Sequence, residues 1–161
     1  MPTIHIQLSG DAQLPTGQRV QVPGAQALIQ RGPIINVAIG LERSMAMSLL
    51  SSGAKVPAPI VGLALIDTGA SVTCIDNSKA IELGLPAVDT MKMMSASHDA
   101  IEQPAYPINI EIIGTPIQFG LPKAMGANLA SQGLLALIGR DVLQLFTMFY
   151  NGPTGQITLS I

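Results

Sequence analysis

The alternation of apolar and polar residues predicts a β-strand near the start of the chain. Residues 4–8 read Ile-His-Ile-Gln-Leu, a period of two that is typical of a strand with one buried face. Residues 60–66 are apolar at nearly every position, which predicts a core strand buried on both faces. Further strand-like runs lie at residues 34–39, 72–75, 134–138 and 156–161.

A β-hairpin is predicted in the second half of the chain. Ile108, Ile110 and Ile112 alternate with polar residues, and a Gly-Thr-Pro turn then leads into residues 117–119. The alternation predicts that one face of this hairpin points into the core.

Two short helices are predicted between the strands. Asp76 or Asn77 can cap a helix over residues 78–83, and Gly84 can end it in a left-handed conformation. The second helix is indicated by the helical spacing of three apolar side chains, Val142, Leu145 and Phe146. Residues 11–32 are rich in Gln, Gly and Pro and predict an irregular arm, and residues 41–58 predict a long excursion between strands.

Composition limits the class of protein. The chain has 161 residues, which favours one domain, and 48% are hydrophobic whereas 11% are charged. Short strands joined by many turns are expected, together with apolar surface that is buried against a partner. The formal net charge of −2 argues against binding to nucleic acid.

Cofactors, metals and membrane segments are not expected. Cys74 is the single cysteine, so no intramolecular disulfide can form, and no Cys/His group has the spacing of a zinc site. The N-terminal residues do not resemble a signal peptide, and no apolar stretch is long enough to span a bilayer. A cytoplasmic protein is therefore predicted.

Two short motifs carry the candidate chemistry. The apolar strand at residues 60–66 runs directly into Asp67-Thr68-Gly69-Ala70-Ser71. Residues 135–143 contain a second apolar strand, which is followed by Gly139-Arg140-Asp141 and a helical segment. Together these elements resemble the retropepsin-like, single-lobe aspartic proteases of the retroviral type. The resemblance covers about residues 33–161 and leaves residues 1–32 as an N-terminal strand and arm, and the arm could be a pro-segment.

The resemblance implies a fold, an assembly and a set of residue roles. The fold would be an all-β, single-lobe acid-protease fold, a closed barrel with one or two short helices. Asp67 would be the catalytic carboxylate, Thr68 would hydrogen-bond across a dimer, and Gly69 would allow close approach of the backbone. Ala70 and Ser71 would line the adjoining floor. The Gly139-Arg140-Asp141 element would serve structure and the interface, with Arg140 bracing the active-site loop.

Hydrolysis of a peptide bond without a metal or a covalent intermediate needs one group to deprotonate water and another to protonate the carbonyl oxygen. Two carboxylates that share one proton can do both. None of the other aspartates is followed by Thr-Gly or Ser-Gly, so one chain supplies half of such a pair. The resemblance implies that a second copy supplies the other half, so a homodimer with one shared site is predicted. The two copies are expected to associate through strands from their termini, with the strand at residues 157–161 providing an intermolecular sheet edge.

A retropepsin also has a flap, a hairpin that covers the substrate. The corresponding segment here is residues 91–106, whose tip lacks the glycines usual in the family. Its thioethers could line apolar subsites or could simply fill the core. The candidate flap and subsite residues are Met91, Met93, Met94, Ser95, Ala96, Ser97 and His98.

Other interpretations of these residues remain open from sequence. Asp67 could belong to an ordinary turn after a buried strand, and Cys74 is a small buried side chain more readily than a nucleophile. At the level of function, the main hypothesis is an endopeptidase that cuts extended polypeptides with apolar flanking residues. The alternatives are a dimerisation or binding module without hydrolysis and a self-processing element of a larger precursor.

Overall fold

The structure is a computed structural model that describes residues 2–13, 15–95 and 98–161. The strands are β1 (Thr3–Gln7), β2 (Gly10–Gln13), β3 (Arg19–Val22), β4 (Ile34–Leu41), β5 (Ile60–Ile66), β6 (Cys74–Asp76), β7 (Asp89–Ser95), β8 (His98–Ile112), β9 (Gln118–Ala127), β10 (Ala136–Ile138), β11 (Thr147–Asn151) and β12 (Gln156–Ser160). The helices are α1 (Gly24–Arg31), α2 (Arg43–Ser51), α3 (Asn77–Glu82) and α4 (Arg140–Leu143), with a 3-10 turn at Ala130–Gln132.

Six strands form a closed barrel. Their order is β4-β5-β10-β6-β9-β8, and β4 pairs with β8 to close the ring. β7 extends from the barrel as the partner of β8. The pairs β5–β10 and β6–β9 are parallel, and the other pairs of the barrel are antiparallel. The predicted closed β-barrel is confirmed, in a fold that is mostly β.

The alternation seen in the sequence places the core inside this barrel. Ile108, Ile110 and Ile112 on β8 are buried, and the predicted hairpin turns through Gly114, which has a φ of +81°. A positive φ disfavours side chains with a Cβ, so glycine suits this turn. β5 follows its prediction less closely, because Val61 is 66% exposed while Ala64 and Ile66 are buried.

A second sheet contains both ends of the described chain. Its order is β1-β12-β11, and both pairings are antiparallel. β12 is therefore the central strand, and both of its edges are already paired within one chain. The prediction that residues 157–161 offer an intermolecular edge is wrong for this conformation. The unpaired edges of this described sheet belong to β1 and β11.

The segment predicted as an irregular arm is regular over most of its described length. β2 and β3 form a small hairpin, and α1 follows with Ala27 and Leu28 buried in the same core as the barrel. α1 packs closely beneath the turn before β12. A Cβ on Gly24 would lie 2.8 Å from the carbonyl oxygens of Leu8 and Thr154. Glycine at this position therefore lets the helix lie against the terminal sheet.

The helices of the described segments are more numerous than the predicted one or two. α1 and α2 were not foreseen, whereas α3 and α4 lie where helices were predicted. Asp76 caps α3 by accepting from the backbone N–H groups of Ser78 and Lys79, and Gly84 follows the helix with a φ of +69°. α4 ends at Leu143, so Leu145 lies beyond it and is 56% exposed. No helix in the described segments has the length and apolar character needed to cross a membrane.

Candidate active site

The parallel pairing of β5 with β10 brings the two sequence motifs together. Ile66 lies in register with Ile138, so Asp67 and Gly139 leave the barrel side by side. The backbone N–H of Asp67 donates to the carbonyl oxygen of Ile138 at 2.9 Å. Residues far apart in sequence thus meet at the carboxyl ends of two neighbouring strands.

The Asp67 carboxylate is half-buried and held by its own loop. Its Oδ1 accepts the backbone N–H of Gly69 at 2.7 Å. A Cβ on Gly69 would lie 3.0 Å from this same oxygen, which is tighter than an ordinary contact. Thr68, Gly69 and Ser71 are exposed, and Ala70 is half-buried. The loop therefore presents one oriented carboxylate beside accessible backbone and hydroxyl groups.

Arg140 holds the carbonyl side of the Asp67 loop. Its Nη1 donates to the carbonyl oxygens of Thr68 at 2.8 Å and Gly69 at 2.9 Å. Its backbone N–H donates to the carbonyl oxygen of Ala70 at 2.9 Å. Three successive carbonyls of the loop are thus hydrogen-bonded to one residue of the Gly-Arg-Asp element.

A second set of bonds lies behind the loop, at Thr73. This residue is fully buried, and its hydroxyl donates to Oδ1 of Asp141 at 2.7 Å while it accepts the N–H of Gly139 at 3.0 Å. Its backbone N–H donates to Oδ2 of Asp141 at 3.0 Å. Thr73 could not be singled out from the sequence, because its partners lie more than sixty residues away and no local pattern marks it.

Cys74 follows Thr73 and is buried. Burial, together with the charges of Asp141 and Asp67, raises the pKa of this thiol to about 11. Very little thiolate exists at neutral pH under these conditions, and the thiolate is the nucleophilic form. The geometry favours a packing role for Cys74.

Cys74 belongs to an apolar cluster that adjoins the candidate carboxylate. The cluster contains Cys74, Met125, Ala127 and Leu129, with partly buried Val72, Met91, Met93, Leu134 and Leu137 packed against it. Met91 and Met93 lie on β7, so the β7–β8 hairpin contributes side chains to this cluster. Leu137 of this cluster directly precedes Ile138, whose carbonyl oxygen accepts the N–H of Asp67, so the cluster reaches the candidate carboxylate along β10.

The other described residues of the predicted flap lie at the end of β7 and the start of β8. Met94 and Ser95 belong to β7, His98 begins β8, and Ser95 pairs with His98 across the hairpin. Ala96 and Ser97 lie outside the described residues. Within the described segments, no group of three or more His, Cys, Asp or Glu side chains could hold a metal ion.

Comparison with known proteins gave matches only among solved structures. No protein-family profile and no curated protein matches the chain. A retropepsin-like aspartic protease from Rickettsia conorii is 17% identical, with 98% of this chain and 92% of that chain covered and a TM-score of 0.41. The retroviral protease-like domain of Ddi1 from Leishmania major is 14% identical, with coverages of 73% and 81% and a TM-score of 0.38. The first is a retropepsin-like aspartic protease and the second a retroviral protease-like domain. The Asp-Thr-Gly and Gly-Arg-Asp elements of this chain resemble the retropepsin-like family.

Proposed function

We propose that the protein is a homodimeric aspartic endopeptidase in which Asp67 from each of two chains forms one catalytic pair. The observation that carries this proposal is the half-buried Asp67 carboxylate, oriented by the N–H of Gly69 in a loop whose carbonyls are held by Arg140. A carboxylate that only ended a turn would not need a second, distant segment to fix its loop.

The second chain supplies the second carboxylate of the proposed catalytic pair. A single carboxylate can accept a proton from water but cannot also protonate the carbonyl oxygen of the peptide. Two carboxylates about 3 Å apart share one proton, because the first charge opposes the second ionisation. Thr68 is exposed beside Asp67 and is the proposed residue for a hydrogen bond across the two-fold axis.

The proposed substrate is an extended polypeptide with apolar side chains near the scissile bond. Apolar subsites are supported by the cluster of Cys74, Met125, Met91 and Met93, which adjoins the start of the Asp67 loop. Thioethers conform to side chains of varied shape. An extended peptide can also pair as a strand, and among the described strands β7 pairs with β8 alone, on one edge.

The sharpest test mixes active and inactive chains. Asp67→Asn should fold and dimerise but not cleave, because the amide is nearly isosteric and cannot act as a general base. After complete exchange with an equal amount of unmodified protein, about a quarter of the dimers carry two carboxylates. Activity per unmodified chain on a peptide library should then fall by about half.

The control for this experiment is Asp11→Asn, which makes the same change at an exposed aspartate. Because Asp11→Asn chains keep Asp67, exchange with this variant should leave activity per chain unchanged when the chains of both kinds are counted. A tagged copy of each variant confirms by pull-down that exchange is complete. If exchange with Asp67→Asn left activity per unmodified chain unchanged, the shared site would be rejected.

The pH profile provides an independent test. Activity should be highest at acidic to mildly acidic pH, where a carboxylate pair holds one proton. A peptide-cleavage rate that kept rising through alkaline pH would contradict this chemistry. Loss of activity on addition of a metal chelator would contradict it as well.

A further inference from the structure

Every polar atom of Thr73 has a hydrogen-bond partner. Its N–H and hydroxyl both donate to the Asp141 carboxylate, its hydroxyl oxygen accepts the N–H of Gly139, and its carbonyl oxygen accepts the N–H of Met125. Three of these four bonds go to the Gly-Arg-Asp element. Thr73 therefore joins the start of β6 to the same segment that holds the Asp67 loop.

The two segments touch without an intervening side chain. A Cβ on Gly139 would lie 2.6 Å from the carbonyl carbon of Val72 and 2.9 Å from the nitrogen of Thr73. Real Cβ atoms essentially never approach other atoms this closely, so residue 139 must be glycine for the hydroxyl of Thr73 to reach its N–H. This close contact explains why the first residue of the Gly-Arg-Asp element is a glycine.

The path from Thr73 to the carboxylate is short. Gly139 is flanked by Ile138, whose carbonyl oxygen accepts the N–H of Asp67, and by Arg140, which binds the carbonyls that follow Asp67. A shift of Gly139 would therefore move both supports of the Asp67 loop. We propose that Thr73 is a positioning residue, whose hydroxyl, oriented by Asp141, fixes Gly139 and through it aligns Asp67. The proposal rests on the proposed protease function.

A purely structural role for Thr73 would have different consequences. If the hydroxyl only satisfied buried polar groups, its removal would lower stability and leave the position of Asp67 unchanged. Misplacing a catalytic group by about 1 Å can cost on the order of 100-fold in rate. An experiment can therefore distinguish an effect on the alignment of Asp67 from an effect on the stability of the fold.

The test compares Thr73→Val, which keeps the shape and removes the hydroxyl, with Thr73→Ser, which restores the hydroxyl. The matched control is Thr115→Val, because Thr115 makes two hydrogen bonds through its hydroxyl within the β8–β9 turn, and neither involves the Asp67 loop. We expect Thr73→Val to lower kcat by about 10-fold to 100-fold with little change in KM. Thr73→Ser should recover most of the rate, and Thr115→Val should lower Tm with kcat unchanged.

A second readout does not depend on activity. The amide proton of Gly69 donates to Asp67 at 2.7 Å, so its NMR chemical shift reports the position of the carboxylate. In Thr73→Val this shift should move towards that of glycine in an unstructured chain, whereas in Thr115→Val it should not. If the unmodified protein cleaved no peptide, the proposed function would fail while this shift still tested the positioning role. An unchanged Gly69 shift in a folded Thr73→Val variant, or an equal loss of rate in Thr73→Ser, would overturn the proposal.

Discussion

At the scale of single residues, Asp76 shows how a buried charge can be stabilised. Its side chain is 2% exposed, and its two oxygens accept backbone N–H groups from Ser78, Lys79, Leu129 and Ala130 at 2.8 to 3.3 Å. Burial opposes the charge, but the hydrogen bonds outweigh it and hold the pKa of Asp76 below its ordinary value. One carboxylate thus ties the start of α3 to the chain that follows β9.

The sign of this pKa shift predicts how stability depends on pH. Because the pKa is lower in the folded than in the unfolded chain, charged Asp76 stabilises the fold above about pH 4. This stabilisation is lost as the pH falls through the lowered pKa of the folded state. Asp76→Asn should therefore reduce the free energy of unfolding at neutral pH by about 1 to 3 kcal/mol.

Urea denaturation over a series of pH values checks this prediction. The difference between Asp76→Asn and the unmodified protein should shrink as the pH falls below about 4. Asp11→Asn, at an exposed position, is the control and should change stability little. A constant difference at all pH values would show that the charge of Asp76 is not what stabilises the fold.

At the scale of elements, the strands could be predicted and two helices could not. Strand positions show in the sequence because buried isoleucines alternate, as on β8. α1 begins after Pro23 without a side-chain cap and buries only Ala27 and Leu28, while Ile29 is 83% exposed. α2 has no fully buried residue, and Met47 and Leu50 are exposed. Both helices are positioned by tertiary contacts rather than by a strong pattern of their own.

The residues of the candidate site likewise fall into some that could be predicted from the sequence and one that could not. Asp67 and Arg140 could be singled out because each belongs to a short motif after an apolar strand. Thr73 could not, because a threonine in a strand-like run carries no sign that its hydroxyl will meet residues 139 and 141. The parallel register of β5 and β10, which creates these contacts, is a property of the folded barrel.

The docking of α1 makes a prediction about packing. Gly24→Ala would place a Cβ against the carbonyl oxygens of Leu8 and Thr154, so the helix must move away from the terminal sheet. Overpacking of this kind costs about 1 to 3 kcal/mol. Thermal unfolding should therefore show a clearly lower Tm for this variant.

The matched control for Gly24→Ala is Gly120→Ala on β9. A Cβ there would meet nothing within 4 Å, and the residue has no positive φ. Its Tm should stay close to that of the unmodified protein. Equal Tm values for Gly24→Ala and Gly120→Ala would contradict the close packing of α1 on the turn before β12.

At the scale of the whole molecule, the terminal sheet restricts how two copies can associate. β12 is paired on both edges, so a second chain that joins this sheet must pair with β1 or β11. Neither strand contains Asp, Glu, Lys or Arg. Charged residues commonly protect open edges from pairing, and their absence leaves these two edges suited to association.

The central position of β12 also predicts the result of truncation. Removing residues 157–161 deletes Ile157 and Leu159, which are 0% and 2% exposed in the main core. The truncated chain should lose its cooperative thermal transition, measured by circular dichroism, instead of becoming a folded monomer. Removing Ile161 alone, which is 41% exposed, should leave that transition in place. A folded monomer after the longer deletion would show that β12 is dispensable within one chain.

The pairing of β1 with β12 has a consequence for folding kinetics. His5 and Thr158 hydrogen-bond across this pair although 153 residues separate them. Closing so long a loop before other contacts form is entropically unfavourable, so this pairing is expected late, after the folding transition state. Ile157→Val should then speed unfolding about twofold to tenfold and leave the folding rate unchanged. Ile110→Val, at an equally buried position in the local β8–β9 hairpin, should slow folding in stopped-flow experiments. The sheet that joins the two ends of the fold would therefore govern how long the native state lasts and not how quickly it is reached.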